Sequence, residues 1–131
     1  MPIFAIYKSL QQIALTEFPD IVVQADIIQL PTGDPRKVRL RVIDNSFIDI
    51  FISVTGRYSY HWGREQTDAG IIYRHDNAPH KALRYVATYP RHFHDGSEEN
   101  VTESYISSQP ESALREFCEF VRQTLRADTK S

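Results

Sequence analysis

The first hydrophobic pattern along the chain has the spacing of a helix. Apolar side chains recur every three or four positions between residues 3 and 18, and this period places them on one face of an α-helix. Pro19 follows directly, and proline rarely continues a helix. We therefore predict an amphipathic N-terminal helix over residues 3–18.

Alternation of apolar and polar residues follows, which is the pattern of half-buried β-strands. The clearest run alternates Val38, Leu40 and Val42 with Lys37, Arg39 and Arg41. Comparable strand patterns occupy residues 21–30, 48–54, 57–62 and 71–76. Because short turn sequences join most of these runs, the pattern predicts an antiparallel meander of about five strands.

Several segments lack a clear period. Residues 63–70 are predicted as a polar loop, and residues 77–96, which contain two prolines, as a structured loop. Residues 95–104 are acidic and are predicted to be mobile. Residues 128–131 are predicted as a frayed tail. These segments leave the helices and the meander as the regular structure.

The last regular pattern is a second helix. An apolar stripe predicts a C-terminal helix over 109–126, and Ser108 with Glu111 has the spacing of a capping box at its start. Cys118 lies beside the stripe and is predicted to be a small buried hydrophobe. The element order predicts one α+β domain over residues 1–131, in which two helices flank a sheet and motif region at 21–95.

Composition narrows the class of protein. The 131 residues carry 15 Lys and Arg against 17 Asp and Glu, with 41% hydrophobic residues, as expected of a globular domain. No apolar run reaches the ~18 residues of a membrane span. A single Cys rules out a disulfide framework and a Cys-based zinc site. We therefore expect a cytoplasmic protein without a membrane partner.

Charge and histidine are concentrated in the middle of the chain. Residues 57–94 carry 6 basic and 3 acidic side chains and also hold all 5 histidines. Strand alternation places Arg74 and Asp76 on one face, where the simplest expectation is a solvated ion pair. The histidines therefore occur in the one segment with a net positive charge.

The pair His92 and His94 has three interpretations. Two histidines two residues apart can ligate a metal ion, with His61, His80 or Asp76 completing the site. The same pair can supply an acid and a base near neutral pH. Histidines in a surface loop can also have no function. Spacing leaves all three open.

Three sequence motifs carry a resemblance to a known family. They are YSYHW at 58–62, RHDNAPH at 74–80 and RHFH at 91–94. Together they resemble the TumE-like toxin family of toxin–antitoxin systems. The matching positions are Arg74, Asp76, Asn77, Pro79, His80, His92 and His94. At His75 the family more often has Tyr, so we expect His75 to be an aromatic substitute on the core side of its strand.

The resemblance implies a toxin that is neutralised by a DNA-binding antitoxin. Compact toxins of the RelE-like kind cut RNA without a metal ion, and we expect similar chemistry here, with no cofactor. His92 and His94 would divide the acid and base roles, with a further role for His80. Arg74 would face the phosphate, and Asp76 would orient it or a histidine.

Further predictions concern binding surfaces. Lys37, Arg39 and Arg41 could follow an RNA backbone or form an ordinary solvated face. Tyr58, Tyr60 and Trp62 could stack on bases, but their alternation favours core packing. Phe51, on the polar side of its strand, would suit an antitoxin or a second copy of the chain in a homodimer.

The sequence leaves two other functions open. A metal-binding protein would use His80, His92 and His94, with Asp76 as a further ligand. A noncatalytic module would instead bind a partner through its basic strand and its aromatic residues.

Overall fold

A computed structural model describes residues 2–64 and 70–129 of the chain. In those residues, two helices and seven strands follow one another, with a short 3-10 helix at Lys81–Leu83. The helices are α1 (Ile3–Glu17) and α2 (Pro110–Thr129). The strands are β1 (Val22–Gln29), β2 (Pro35–Val42), β3 (Phe47–Ile52), β4 (Tyr58–Gly63), β5 (Ile72–Asp76), β6 (His92–Gly96) and β7 (Val101–Glu103). Neither helix is long and apolar enough to span a membrane.

The sheet is a simple antiparallel meander. Its strands lie in chain order from β1 to β7, and each pairs with the next. The predicted α+β architecture, with a helix near each end of the chain, is therefore confirmed. The predicted strand number is wrong, because β6 and β7 lie where a structured loop and an acidic mobile segment were expected.

Local hydrogen bonds explain why the acidic segment is ordered. The backbone N–H of Asp95 donates to the carbonyl of Asn100 over 2.9 Å, and the side-chain amide of Asn100 donates back to the Asp95 carbonyl over 2.8 Å. Gly96 adopts φ +91°, a left-handed conformation that glycine tolerates best. These features close a hairpin between β6 and β7.

Both helices pack on the same face of the sheet. Helix α1 contacts β1, β2 and α2, and Phe117 of α2 lies against the rings of Tyr60 and His75. The fully buried Tyr7 of α1 ties the helix to β3, because its hydroxyl accepts the Ile52 N–H over 3.0 Å. The other face of the sheet carries mainly polar side chains, together with the exposed Phe51.

The start of α2 differs from its prediction. The side-chain oxygen of Gln109 accepts the Ser112 N–H over 2.7 Å, so Gln109 caps the helix instead of the predicted Ser108. Cys118 is fully buried, as expected, and burial raises the pKa of its thiol to about 12. The predicted 63–70 loop and 128–131 tail lie partly outside the described residues, because residues 65–69 and 130–131 are not among them.

Candidate active site

The face of the sheet opposite the helices carries a row of polar side chains, which we call the polar row. Neighbouring strands contribute successive members through direct pairing. The row consists of Asp26, Arg39, Asp49, His61, Arg74 and His94. It therefore crosses six strands from β1 to β6, and its β5–β6 end brings together the residues that the sequence singled out.

Strand β5 holds a fixed ion pair at this end. The Arg74 Nε donates to Asp76 Oδ2 over 2.9 Å, and the Ala78 N–H donates to Asp76 Oδ1 over 2.9 Å. Asp76 is 8% exposed. The two residues do share a face, as predicted, but the pair is largely removed from solvent. The carboxylate of Asp76 is consequently held in one orientation.

Strand β6 places two histidines beside this pair. His92 is the pairing partner of Asp76, and His94 is the partner of Arg74. The Nδ1 atoms lie 2.8 Å from the Pro90 carbonyl oxygen and 2.9 Å from the Glu98 carbonyl oxygen, respectively. A carbonyl can only accept a hydrogen bond, so Nδ1 must carry the proton in both rings. In the neutral imidazoles, Nε2 is left with a lone pair.

Both Nε2 atoms point towards the carboxylate of Asp76. His92 Nε2 lies 3.1 Å from Oδ1, and His94 Nε2 lies 3.8 Å from Oδ2. Despite the short distance, His92 Nε2 is buried without a hydrogen bond, and the whole residue is 1% exposed. Burial lowers the pKa of His94, which favours its neutral form. We call Asp76, His92 and His94 the triad.

The side chains of the triad are grouped closely enough to hold a metal ion. Within residues 2–64 and 70–129, these three side chains offer ligand atoms that all lie within 4.8 Å of one another. His80 is not a member of this group. It lies exposed at the start of the 3-10 helix, so the structure brings together two of the three histidines that the sequence proposed for a metal site.

Glu98, in the turn between β6 and β7, completes the surroundings of Arg74. Its carboxylate accepts hydrogen bonds from Arg74 Nη2 over 2.5 Å and Nη1 over 3.3 Å, and Oε1 lies 3.6 Å from His94 Nδ1. The hydrogen bond from Arg74 lowers the pKa of Glu98. Glu98 could not be singled out from the sequence, because nothing in its spacing distinguishes it from the neighbouring acidic side chains.

Comparison with known proteins identifies the family. The model of the family described as Toxin TumE matches residues 11–125. The chain belongs to the TumE toxin family. No curated protein and no solved structure matches it. The resemblance noted from the sequence motifs is thereby confirmed, and the match includes every strand, the C-terminal half of α1 and most of α2.

Two residues in the TumE motif region, Asn77 and His75, have structural partners. Asn77 joins two loops, since its side chain accepts the Tyr58 N–H over 3.0 Å and donates to the Gly56 carbonyl over 2.9 Å. His75 stacks on Phe93, with ring centroids 4.2 Å apart, and its Nδ1 lies 2.7 Å from Ser104 Oγ. This placement agrees with the expected aromatic substitute on the core side.

The basic side chains of β2 and the aromatic side chains of β4 in this TumE chain lie on opposite faces of the sheet. Lys37 and Arg39 both bind Asp49, over 3.1 and 2.8 Å. Arg41 is half-buried on the same face. Tyr58, Tyr60 and Trp62 lie on the helix side, where Trp62 is fully buried, so core packing is the better interpretation of these aromatics.

His61, which the sequence offers only as an alternative metal ligand, is not one of the three side chains of the triad. It pairs with Arg74 across β4 and β5, and its Nδ1 lies 3.3 Å from Arg74 Nη1. Arg74 therefore contacts His61, Glu98 and Asp76, the last of which belongs to the triad.

Proposed function

We propose that this TumE-family toxin cleaves RNA at a centre formed by Arg74 and the triad. The observation that carries the proposal is an anion-binding position beside the imidazoles of the triad. Arg74 binds the Glu98 carboxylate there, and Oε1 of that carboxylate lies 3.6 Å from His94 Nδ1. A phosphate oxygen fits the same guanidinium fork. A phosphodiester bound there would lie next to the reactive atoms of the triad.

The chemistry of RNA cleavage suits this group of side chains. The reaction removes a proton from the 2′-hydroxyl, adds one to the departing 5′-oxygen, and stabilises negative charge on the phosphate. Arg74 supplies the positive charge. In this proposal the Nε2 atoms of His92 and His94 act on the protons, either directly as base and acid or through an ion that they hold.

The polar row offers a path along the sheet for the rest of the RNA strand. Lys37, Arg39 and Arg41 lie on the same face as Arg74, and we propose that they contact the RNA backbone. Asp49 already neutralises part of the charge of Lys37 and Arg39. These residues should therefore contribute moderately to affinity and little to the rate of cleavage.

The central test is RNA cleavage by tag-free protein together with growth arrest in cells. Changing both His92→Ala and His94→Ala should lower the rate at least ~100-fold, because positioned proton-transfer groups are typically worth that much. His80→Ala is the matched control and should keep activity, since His80 is exposed outside the triad. Circular dichroism checks folding, and His94→Gln provides a milder variant.

Two results would contradict the proposed function. If the folded double variant cuts RNA and arrests growth as well as the unaltered protein, the catalytic assignment fails. If charge reversal at Arg39 and Arg41 abolishes growth arrest while the histidine variants remain toxic, the protein is a noncatalytic binding module.

Membership of a toxin family implies a cognate antitoxin. We propose that this antitoxin binds DNA and neutralises the toxin. Phe51, 43% exposed on the polar face, is our candidate contact for the antitoxin or for a second copy of the chain. Phe51→Ser should weaken either complex, as measured by copurification and by size-exclusion chromatography at several concentrations.

A further inference from the structure

We infer that the triad binds one divalent transition-metal ion, such as Zn²⁺, through the Asp76 carboxylate and the Nε2 atoms of His92 and His94. The geometry of these three side chains supports ion binding by itself. Only the role of the ion in cleavage rests on the proposed function. In this proposal the two histidines are ligands, and not the acid and base that the sequence led us to expect.

The unpaired nitrogen of His92 is the first argument. Buried polar atoms in proteins almost always have a partner, yet His92 Nε2 has no hydrogen bond although it is only 3.1 Å from Asp76 Oδ1. A protonated Nε2 would be expected to donate to that oxygen. A bare nitrogen lone pair beside a carboxylate oxygen is unfavourable unless a cation binds both.

The fixed orientation of the rings is the second argument. Metal-bound histidines usually donate their other ring N–H to a carbonyl or carboxylate, which sets the tautomer and aims the ligand atom. Here the Pro90 and Glu98 carbonyls perform this task for His92 and His94. Asp76 is held in turn by Arg74 and by the Ala78 N–H. All three ligands are therefore oriented before any ion binds.

The separations between the ligand atoms are the third argument. An ion ~2.0–2.2 Å from each nitrogen or oxygen ligand places neighbouring ligand atoms about 3.0–3.5 Å apart. His92 Nε2 lies 3.1 Å from Asp76 Oδ1 and His94 Nε2 lies 3.8 Å from Asp76 Oδ2. One ligand atom from each of the three residues lies within 4.8 Å of the other two. Small side-chain adjustments would thus bring the triad to coordination distance.

The kind of ligand indicates the class of ion. Two imidazoles and one carboxylate suit zinc and other divalent first-row transition ions, whereas magnesium and calcium prefer oxygen ligands alone. Three protein ligands are also the number in catalytic zinc sites, which keep a position open for water or substrate. His80 is exposed and outside the group, so it does not close that position.

Such an ion would supply the proton transfers of the proposed cleavage. Bound water can lose a proton near neutral pH, and the resulting hydroxide accepts the proton of the 2′-hydroxyl. The 2′-oxygen then bonds to phosphorus while the bond from phosphorus to the 5′-oxygen breaks. The bound water returns a proton to the 5′-oxygen, which gives a 2′,3′-cyclic phosphate and a 5′-hydroxyl and regenerates the hydroxide.

Titration of Zn²⁺ into tag-free, chelator-treated protein tests the binding site. Calorimetry should show one ion per chain, and Co²⁺ should give the visible spectrum of a low-symmetry, nitrogen- and oxygen-ligated ion. His94→Gln and Asp76→Asn should each weaken Zn²⁺ binding at least ~100-fold, since even supporting residues cost 10–100-fold. His80→Ala should bind Zn²⁺ as the unaltered protein does. Thermal unfolding without metal verifies that each variant folds.

The possible outcomes distinguish ion binding at the triad from the proposed cleavage of RNA. The inference fails if folded protein binds no Zn²⁺ or Co²⁺, or if His94→Gln and Asp76→Asn bind as tightly as the unaltered protein. If Zn²⁺ binds at the triad but no RNA is cut, the proposed ribonuclease function fails while the metal site stands. If chelator-treated protein cuts RNA at the full rate, the function stands and the catalytic role of the ion is refuted.

Discussion

Replacing Glu98 by Gln should strengthen RNA binding, because the Glu98 carboxylate occupies the anion-binding side of Arg74. Under the proposed function, RNA must displace this carboxylate before a phosphate can take its place. The glutamine amide would keep the size of the side chain and remove the charge. The same change also removes a negative charge 3.6 Å from His94.

The magnitude follows from the exposure of the pair. The Glu98 side chain is 57% exposed, and exposed ion pairs are worth about 0.2–1 kcal/mol. Since about 1.4 kcal/mol corresponds to a tenfold change in affinity, RNA binding should tighten about 1.5- to 5-fold. The free energy of unfolding should fall by no more than the same ~1 kcal/mol.

Fluorescence anisotropy with a 2′-O-methyl RNA oligonucleotide measures this effect without cleavage. Glu99→Gln is the matched control, because Glu99 is the exposed neighbour and the variant makes the same change in charge. Both variants must be compared at one ionic strength, since RNA affinity depends on salt. Equal affinities for the two variants, or weaker binding by Glu98→Gln, would refute the competition between Glu98 and phosphate.

Two further predictions concern stability. Tyr7→Phe should lower the free energy of unfolding by about 1–3 kcal/mol in urea, because the buried Ile52 N–H loses its acceptor; Tyr85→Phe, at a 71% exposed position, should change it little. Burial lowers the pKa of His75 to about 4, so its contribution is complete above its ordinary value of ~6.5 and is lost as the pH falls towards 4. Between pH 7 and pH 4 the unaltered protein should therefore lose roughly 2–3 kcal/mol more stability than His75→Phe; equal losses would contradict this.

Hydrophobic periodicity predicted the elements that border the core. Helix α1, strands β1 to β5 and helix α2 all present regular apolar positions to it, and their predicted bounds agree with the structure to within a few residues. Strand β6 has a different pattern. Its His92 and His94 face the polar side and only Phe93 faces the helices, so the alternation offers one apolar residue in a segment that follows Pro90. A pattern based on hydrophobicity cannot detect such a strand.

The candidate site likewise combines a feature that local strand alternation predicts with features that depend on how the chain folds. The shared face of Arg74 and Asp76 followed from strand alternation within β5. The approach of His92 to Asp76 depends on the pairing of β5 with β6, and that register could not be inferred once β6 was predicted as a loop. His80 follows Asp76 closely in the sequence, yet the backbone leaves the sheet after β5 and places His80 at an exposed 3-10 helix. Proximity in sequence therefore brought His80 into the predicted site, whereas Glu98 was left out of it.

Glu98 connects the two proposals because its main chain and its side chain serve different partners. Its carbonyl oxygen accepts the Nδ1–H of His94 and so helps to aim a ligand of the triad, whereas its carboxylate binds Arg74. Glu98→Gln removes the charge from the second of these interactions and leaves the main-chain hydrogen bond to His94 in place. The variant should therefore tighten RNA binding while its Zn²⁺ affinity stays within about twofold of the unaltered protein, since both ring orientations and all three ligands remain. A parallel loss of Zn²⁺ affinity would mean that the carboxylate itself supports the ion, and that anion binding and ion binding at this site are not separable.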